Sequence, residues 1–245
     1  MDKLIYTAMS GAKHTLEQQA NAANNLANVS TTGFRAQLNT FRAVPIVGDG
    51  LATRAFVADS TIGSDFTPGP LQETGRTLDV AIQGKGWLAV QSSDGSEAYT
   101  RAGDLKTDEN GVLQTWNGHN LVGENGTIAI PPNSHVAIAK DGTVSTIPTA
   151  GAANATQIVG RLKLVNPAEN GMTRGDDGLY RMKDGSDAQA DANVALAPGM
   201  LEGSNVNPIE SMVNMISLAR EFELHMKVLQ TAESDAAKAT SILAL

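Results

Sequence analysis

The chain contains no cysteine, which rules out a disulfide framework and any thiolate metal site. Phe, Trp and Tyr together make up only 4% of its 245 residues. Any core must therefore be assembled mainly from Ala, Leu, Ile, Val and Met. There is no basic block, and the net charge is −8. Binding nucleic acid requires a positive stripe for the phosphates, so no nucleic-acid partner is expected. No apolar run approaches the length of a membrane span, so no direct membrane insertion is expected. The opening Met1-Asp2-Lys3-Leu4-Ile5-Tyr6 lacks the uninterrupted apolar stretch of a cleaved secretory signal. By these criteria alone the chain reads as cytosolic.

Catalytic patterns are missing as well. No Gly-rich phosphate loop ends in Lys-Ser/Thr, and there is no Gly-x-Ser-x-Gly. His14, His119, His135 and His225 are scattered, without the spacing of a zinc site. The acidic stretches around Asp108 and from Asp184 to Asp191 do not follow a calcium-loop pattern and read as polar hairpin tips. Gly84-Lys85-Gly86 reads as a turn entering a strand. The expectation is a chain with no catalytic residues, no metal site and no cofactor, and so not an enzyme.

What the chain does have is helical ends around a middle that is not helical. From Lys3 to about Val29, Ile5, Met9, Ala12, Leu16, Gln19, Ala23 and Leu26 recur at alternating four- and three-residue spacing, a heptad seam. At the other end Asn207 can cap a helix, Pro208 suits its first position and Glu210 its third. Met212, Met215, Ala219, Phe222, Met226, Leu229, Ala236 and Leu243 then mark a second seam. This helix would run roughly 50 Å at 1.5 Å per residue.

Between the ends, residues 34–75 read as an extended connection, with one or two strands, that packs through isolated aromatic anchors, Phe34, Phe41, Phe56 and Phe66. Residues 76–206 read as short strands. Asp94-Gly95, Asn110-Gly111, Asn117-Gly118, Asn125-Gly126, Asp141-Gly142 and Asp184-Gly185 punctuate them. Such pairs favour tight hairpins because both central residues tolerate positive φ. The expected fold is α+β: terminal helices (1–33 and 207–245) paired as a coiled coil, and a central, mainly antiparallel β domain forming a barrel or sandwich. The asparagines of Asn21 to Asn28 are the oddity, because Asn competes for backbone hydrogen bonds inside helices. They mark either a fraying helix end or amides satisfied by neighbouring subunits.

The stretch Asn24-Asn25-Leu26-Ala27-Asn28-Val29-Ser30-Thr31-Thr32-Gly33-Phe34-Arg35 closely resembles the signature of the bacterial flagellar rod and hook family. Two further blocks resemble it in the right order. One runs from Thr74-Gly75 through Leu78-Asp79-Val80-Ala81-Ile82 and Gly84 to Trp87, then Tyr99-Thr100-Arg101 and Gly103. The other is Leu201-Glu202-Gly203-Ser204-Asn205-Val206-Asn207, leading into the last helix. Trp87 stands where relatives more often carry Phe, and Ala102 and Asp104 alter the usual pattern around Tyr-Thr-Arg. The opening Met1 to Ala12 is most similar to the proximal-rod branch.

The resemblance implies a structural subunit of the axial rod, around an export channel, that transmits torque for motility. Its partners would be copies of itself and other rod subunits in a helical tube, and the flagellar type III apparatus that exports it without signal cleavage. That route would account for the missing signal sequence. It makes Asn24, Asn25, Leu26, Ala27, Asn28, Val29, Ser30, Gly33 and Phe34 candidate assembly residues, beside the seam positions. Because the seams are narrow and ordering the backbone costs about 1–2 kcal/mol per residue, folding of the ends is expected to accompany docking. The alternatives are a distal-rod or hook-type subunit and, remotely, a secreted β-rich protein that binds or hydrolyses carbohydrate.

Overall fold

The computed structural model describes residues 2–45, 55–148 and 156–243, with side chains described for 5–39, 63–148 and 156–238. The side chains of Phe41, Phe56 and Leu243 lie outside this set. Two compact units are present. The helical unit comprises Met1–Val29, Ala36–Asp65 and Val206–Leu245, and the β unit comprises Ser30–Arg35 and Phe66–Asn205.

Helix α1 spans Asp2–Ala27 and α2 spans Pro208–Leu243. Asn207 caps α2 as its sequence predicts: its Oδ1 accepts the amides of Ile209 at 3.1 Å and Glu210 at 3.4 Å. The two helices pack against each other, and α1 also packs against a strand pair in the same unit. That pair, Gln37–Pro45 with Ala55–Ser64, is antiparallel with an irregularity at Asn39/Thr40. The connection expected over 34–75 is thus divided. Residues 36–65 belong with the helices, and the segments on either side of them belong to the β unit.

The inner face of α1 differs in phase from the expected seam. Ala12 is buried and Ile5, Gln19 and Leu26 are half-buried, but Met9, Leu16 and Ala23 are exposed. Ala8, Thr15 and Ala22 take their places. On α2, Met215, Ala219, Phe222, Leu229 and Ala236 are half-buried while Met212 and Met226 are exposed. Leu218 and Ala232 are buried and His225 is half-buried instead. The reason is separation. Small side chains on α1 let α2 come close, and interaxial distance follows the side chains at the contact. The His225 ring lies against Gly11, where a Cβ would sit 2.6 Å from Cε1. Met9 and Leu16 on that face would hold the helices apart.

In the β unit, all pairings among the described residues are antiparallel. The largest sheet has nine strands and centres on Trp87–Gln91, which pairs with Glu97–Thr100, Asn120–Gly123 and Leu164–Val165. Ser134–Ile138, Thr143–Pro148 and Gln157–Arg161 form a second sheet. Two-stranded pairs join Ala195–Pro198 to Val80–Gln83 and Met200–Glu202 to Leu71–Glu73.

The run Trp87-Leu88-Ala89-Val90 is continuously apolar because both faces of its strand are covered. Leu88 and Val90 enter one cluster with Leu105, Leu113 and Leu121. Trp87 and Ala89 enter another with Tyr99, Met172 and Tyr180. Phe66 serves as an anchor here, edge-on to Trp87 with centroids 5.8 Å apart.

The six Asx-Gly pairs all form turns, by a different device from the one expected. Their glycines have φ between +71° and +109°. Asn133 is the only non-glycine with positive φ among the described residues, so the preceding Asp or Asn does not share that conformation. The aspartates act through their side chains. Asp94, Asp141 and Asp184 each accept the amide and the hydroxyl of the residue two positions on, Ser96, Thr143 and Ser186. These bonds hold the three carboxyls below the usual carboxylate range.

Candidate assembly interface

At the asparagine-rich end of α1, Asn21, Asn25 and Asn28 find hydrogen-bond partners within the chain. Asn25 Nδ2 donates to the Gln37 carbonyl at 3.0 Å, and the Gln37 amide donates to Asn25 Oδ1 at 2.8 Å. The side-chain amide thereby continues the ladder of the first strand. Asn21 Nδ2 donates to Asn39 Oδ1 beside it. Asn28 closes the helix end, with its Nδ2 donating to the Asn24 carbonyl at 2.9 Å. The Leu26 carbonyl accepts the Val29 amide. Asn24, Ala27 and Ser30 are exposed, and Leu26, Asn28 and Val29 are half-buried.

The rest of the motif belongs to the β unit. Gly33 has φ +66°, and its amide donates to the Glu202 carbonyl at 2.8 Å. A Cβ there would lie 2.3 Å from the Arg101 backbone carbon, so both conformation and space require glycine. Phe34 is buried, with the Arg174 guanidinium 4.6 Å above its ring.

The three stretches that resemble one family in sequence meet at one carboxylate. Arg35, from the first, donates Nη2 to Glu202 Oε1 at 2.6 Å. Arg101, from the second, donates Nη1 to Glu202 Oε2 at 2.9 Å and Nη2 to the Gly84 carbonyl at 2.6 Å. Glu202, from the third, also accepts the Gly69 amide at 2.9 Å. Arg35 and Glu202 are each 1% exposed and Arg101 4%. Burial pushes the Arg101 guanidinium below its ordinary value, opposed by the Glu202 charge. Sequence reasoning quoted these three residues without a role. The available signal was a charged residue embedded in each block, Arg35 in the first, Arg101 (with Asp79) in the second and Glu202 in the third.

The outward faces of the helices carry large apolar side chains. On α1 these are Tyr6, Met9 and Leu16, at 59%, 54% and 48% exposure. Ile209, Met212, Val213, Ile216, Leu224 and Val228 do the same along α2. Exposed apolar side chains grouped on helix faces make these faces candidates for an interaction surface. Among the described residues no helix is long and apolar enough to cross a membrane.

Paired terminal helices with their larger apolar side chains uncovered, in one chain with a β-rich unit, fit a structural protein. Residues 5–35 match the family described as flagella basal body rod protein. Residues 81–146 match the flagellar hook protein FlgE/F/G D1 domain, and residues 197–242 the flagellar basal body rod FlgEFG protein C-terminal family. The chain is 49% identical to the flagellar basal-body rod protein FlgF of Escherichia coli K12 and 48% to that of Salmonella typhimurium LT2, covering the whole of each chain. It is 32% identical to the flagellar basal-body rod protein FlgG of Bacillus subtilis 168, over 95% of this chain and 96% of that one. The chain belongs to the flagellar basal-body rod protein family.

Proposed function

We propose that this chain is a structural subunit of the flagellar basal-body rod. In this reading α1 and α2 form a coiled-coil pair that packs with copies of itself and with other rod subunits into the wall of a tube around the export channel. The exposed stripes of Tyr6, Met9 and Leu16 on α1 and of Ile209, Val213 and Ile216 on α2 carry the reading. They are apolar helix faces that a neighbouring helix would bury. The chain reaches the rod through the flagellar type III apparatus without losing a signal peptide, and its ends complete their folding as they dock. A proximal position is favoured over a distal one by 49% identity to a protein named FlgF against 32% to one named FlgG.

The test is complementation of a strain lacking its own copy, followed by immunodetection in purified basal bodies. Restored swimming with the chain in the proximal rod is the expected result. Restored swimming with the chain absent from basal bodies would overturn the reading.

A further inference from the structure

Glu202 is the acceptor on which separate parts of the β unit close. Its Oε1 takes Arg35 and the Gly69 amide, its Oε2 takes Arg101, and its backbone carbonyl takes the Gly33 amide. Two guanidinium groups share one carboxylate, so the cluster holds one net positive charge in the interior. Its pairing is also incomplete. Arg35 Nε and Nη1 and Arg101 Nε have no hydrogen-bond acceptor among the described residues.

A buried cluster of this kind is a poor source of stability. Replacing a buried charged triad with apolar residues of similar volume is often neutral or stabilising, because the desolvation of the charges disappears with them. What the cluster does supply is geometric selectivity. Charge-assisted hydrogen bonds are short and directional, and a carboxylate displaced from both guanidinium groups would be left buried and unpaired.

Its position gives that selectivity a use. The chain crosses between the two units at 29/30, 35/36, 65/66 and 205/206. Gly33, Arg35, Gly69 and Glu202 each lie within four residues of a crossing. Every crossing into the helical unit therefore starts from a stretch that Glu202 holds.

We infer that Glu202 is a positioning residue for assembly: with Arg35 and Arg101 it sets the geometry in which the connecting stretches leave the β unit, and its contribution is to geometry and not to stability. This rests on the rod reading. The observation behind it is a buried charge cluster with unpaired donors, placed where all the crossings begin.

The experiment uses the full-length chain in a strain lacking its own copy. R35M, R101M and E202L are combined, and thermal unfolding of the purified protein is compared with its amount in basal bodies. The expected result is a β unit that melts at or above the wild-type temperature, with incorporation reduced at least tenfold. E202Q alone, which leaves two buried guanidinium groups facing each other without a counter-charge, lowers both melting temperature and incorporation. Wild-type incorporation of the triple variant overturns the inference. So does a triple variant that fails to fold or melts well below wild type, because the cluster would then be needed for stability. If the wild-type chain itself does not enter basal bodies, the rod reading fails instead.

Discussion

Asn25 and Gln37 are joined by two hydrogen bonds, side-chain amide to carbonyl at 3.0 Å and backbone amide to side-chain oxygen at 2.8 Å. A helix residue thereby acts as the strand partner of the first residue of Gln37–Pro45. Asn25→Ala leaves both Gln37 groups without these partners, and an unmade bond at a part-buried site costs about 1–3 kcal/mol. In assembled rods, faster hydrogen exchange at the Gln37 amide checks this, with exchange in the β unit unchanged.

Gly33 and Gly75 have similar left-handed conformations, φ +66° and +71°, in different surroundings. A Cβ at Gly33 meets the Arg101 backbone at 2.3 Å, whereas at Gly75 nothing lies within 4 Å. Gly75→Ala should cost only the conformational penalty, about 1–2 kcal/mol. Gly33→Ala should cost more, because backbone must move as well. Denaturant midpoints of the β unit measure the difference, and equal losses would contradict the geometry.

Leu16 and Ala12 separate assembly from internal packing. Leu16 is 48% exposed and Ala12 7%. Leu16→Asp should leave the β unit intact yet block incorporation, because its charge would enter a surface that a neighbour desolvates. Ala12→Asp should disrupt the pair itself. Motility assays with detection in basal bodies, beside melting of the β unit, check the first; normal swimming with Leu16→Asp counts against the tube.

Folding of the ends is expected to be coupled to docking. Dilute monomer should give less helical circular dichroism than helices of 26 and 36 residues require, and the signal should rise on assembly. A full helical signal in dilute solution would remove this part of the proposal.

Acid should weaken the β unit through its turn aspartates. Asp94, Asp141, Asp184 and Asp191 are held below the ordinary carboxylate value by hydrogen bonds that do not form in the unfolded chain. A depressed folded pKa contributes stability above the unfolded value of about 4, and that contribution is lost as pH falls through the folded one. Asp104, pushed up by burial, works in the opposite direction. Combining D94N, D141N and D184N keeps side-chain acceptors but removes the charges. The melting temperature should then fall less steeply below about pH 4.

Much of the architecture was legible because its signals are local. The Asn207 cap, the breadth of both helices and the Asx-Gly turns depend on residues within about four positions of one another. The turns show the limit of such signals. Position was readable, but the division of labour between a left-handed glycine and an accepting carboxylate was not. The helix seams show a second limit. Ile5, Ala12, Gln19 and Leu26 are common to the set of Met9 and Leu16 and to the set of Ala8 and Thr15. Periodicity cannot choose between the two; the seating of His225 against Gly11 does.

Helical ends, a β middle and the family that the motifs resemble can all be read from the order of residues. Those features follow from periodicity, capping and turn chemistry that each segment carries alone. Which helix face turns inward, that Asn25 partners a strand, and that Arg35, Arg101 and Glu202 converge emerge in the folded chain alone. Arg35 and Glu202 are 167 residues apart in sequence. No local preference encodes such a pairing. It arises when folding excludes water from both groups, and each can then meet its charge requirement only in the other.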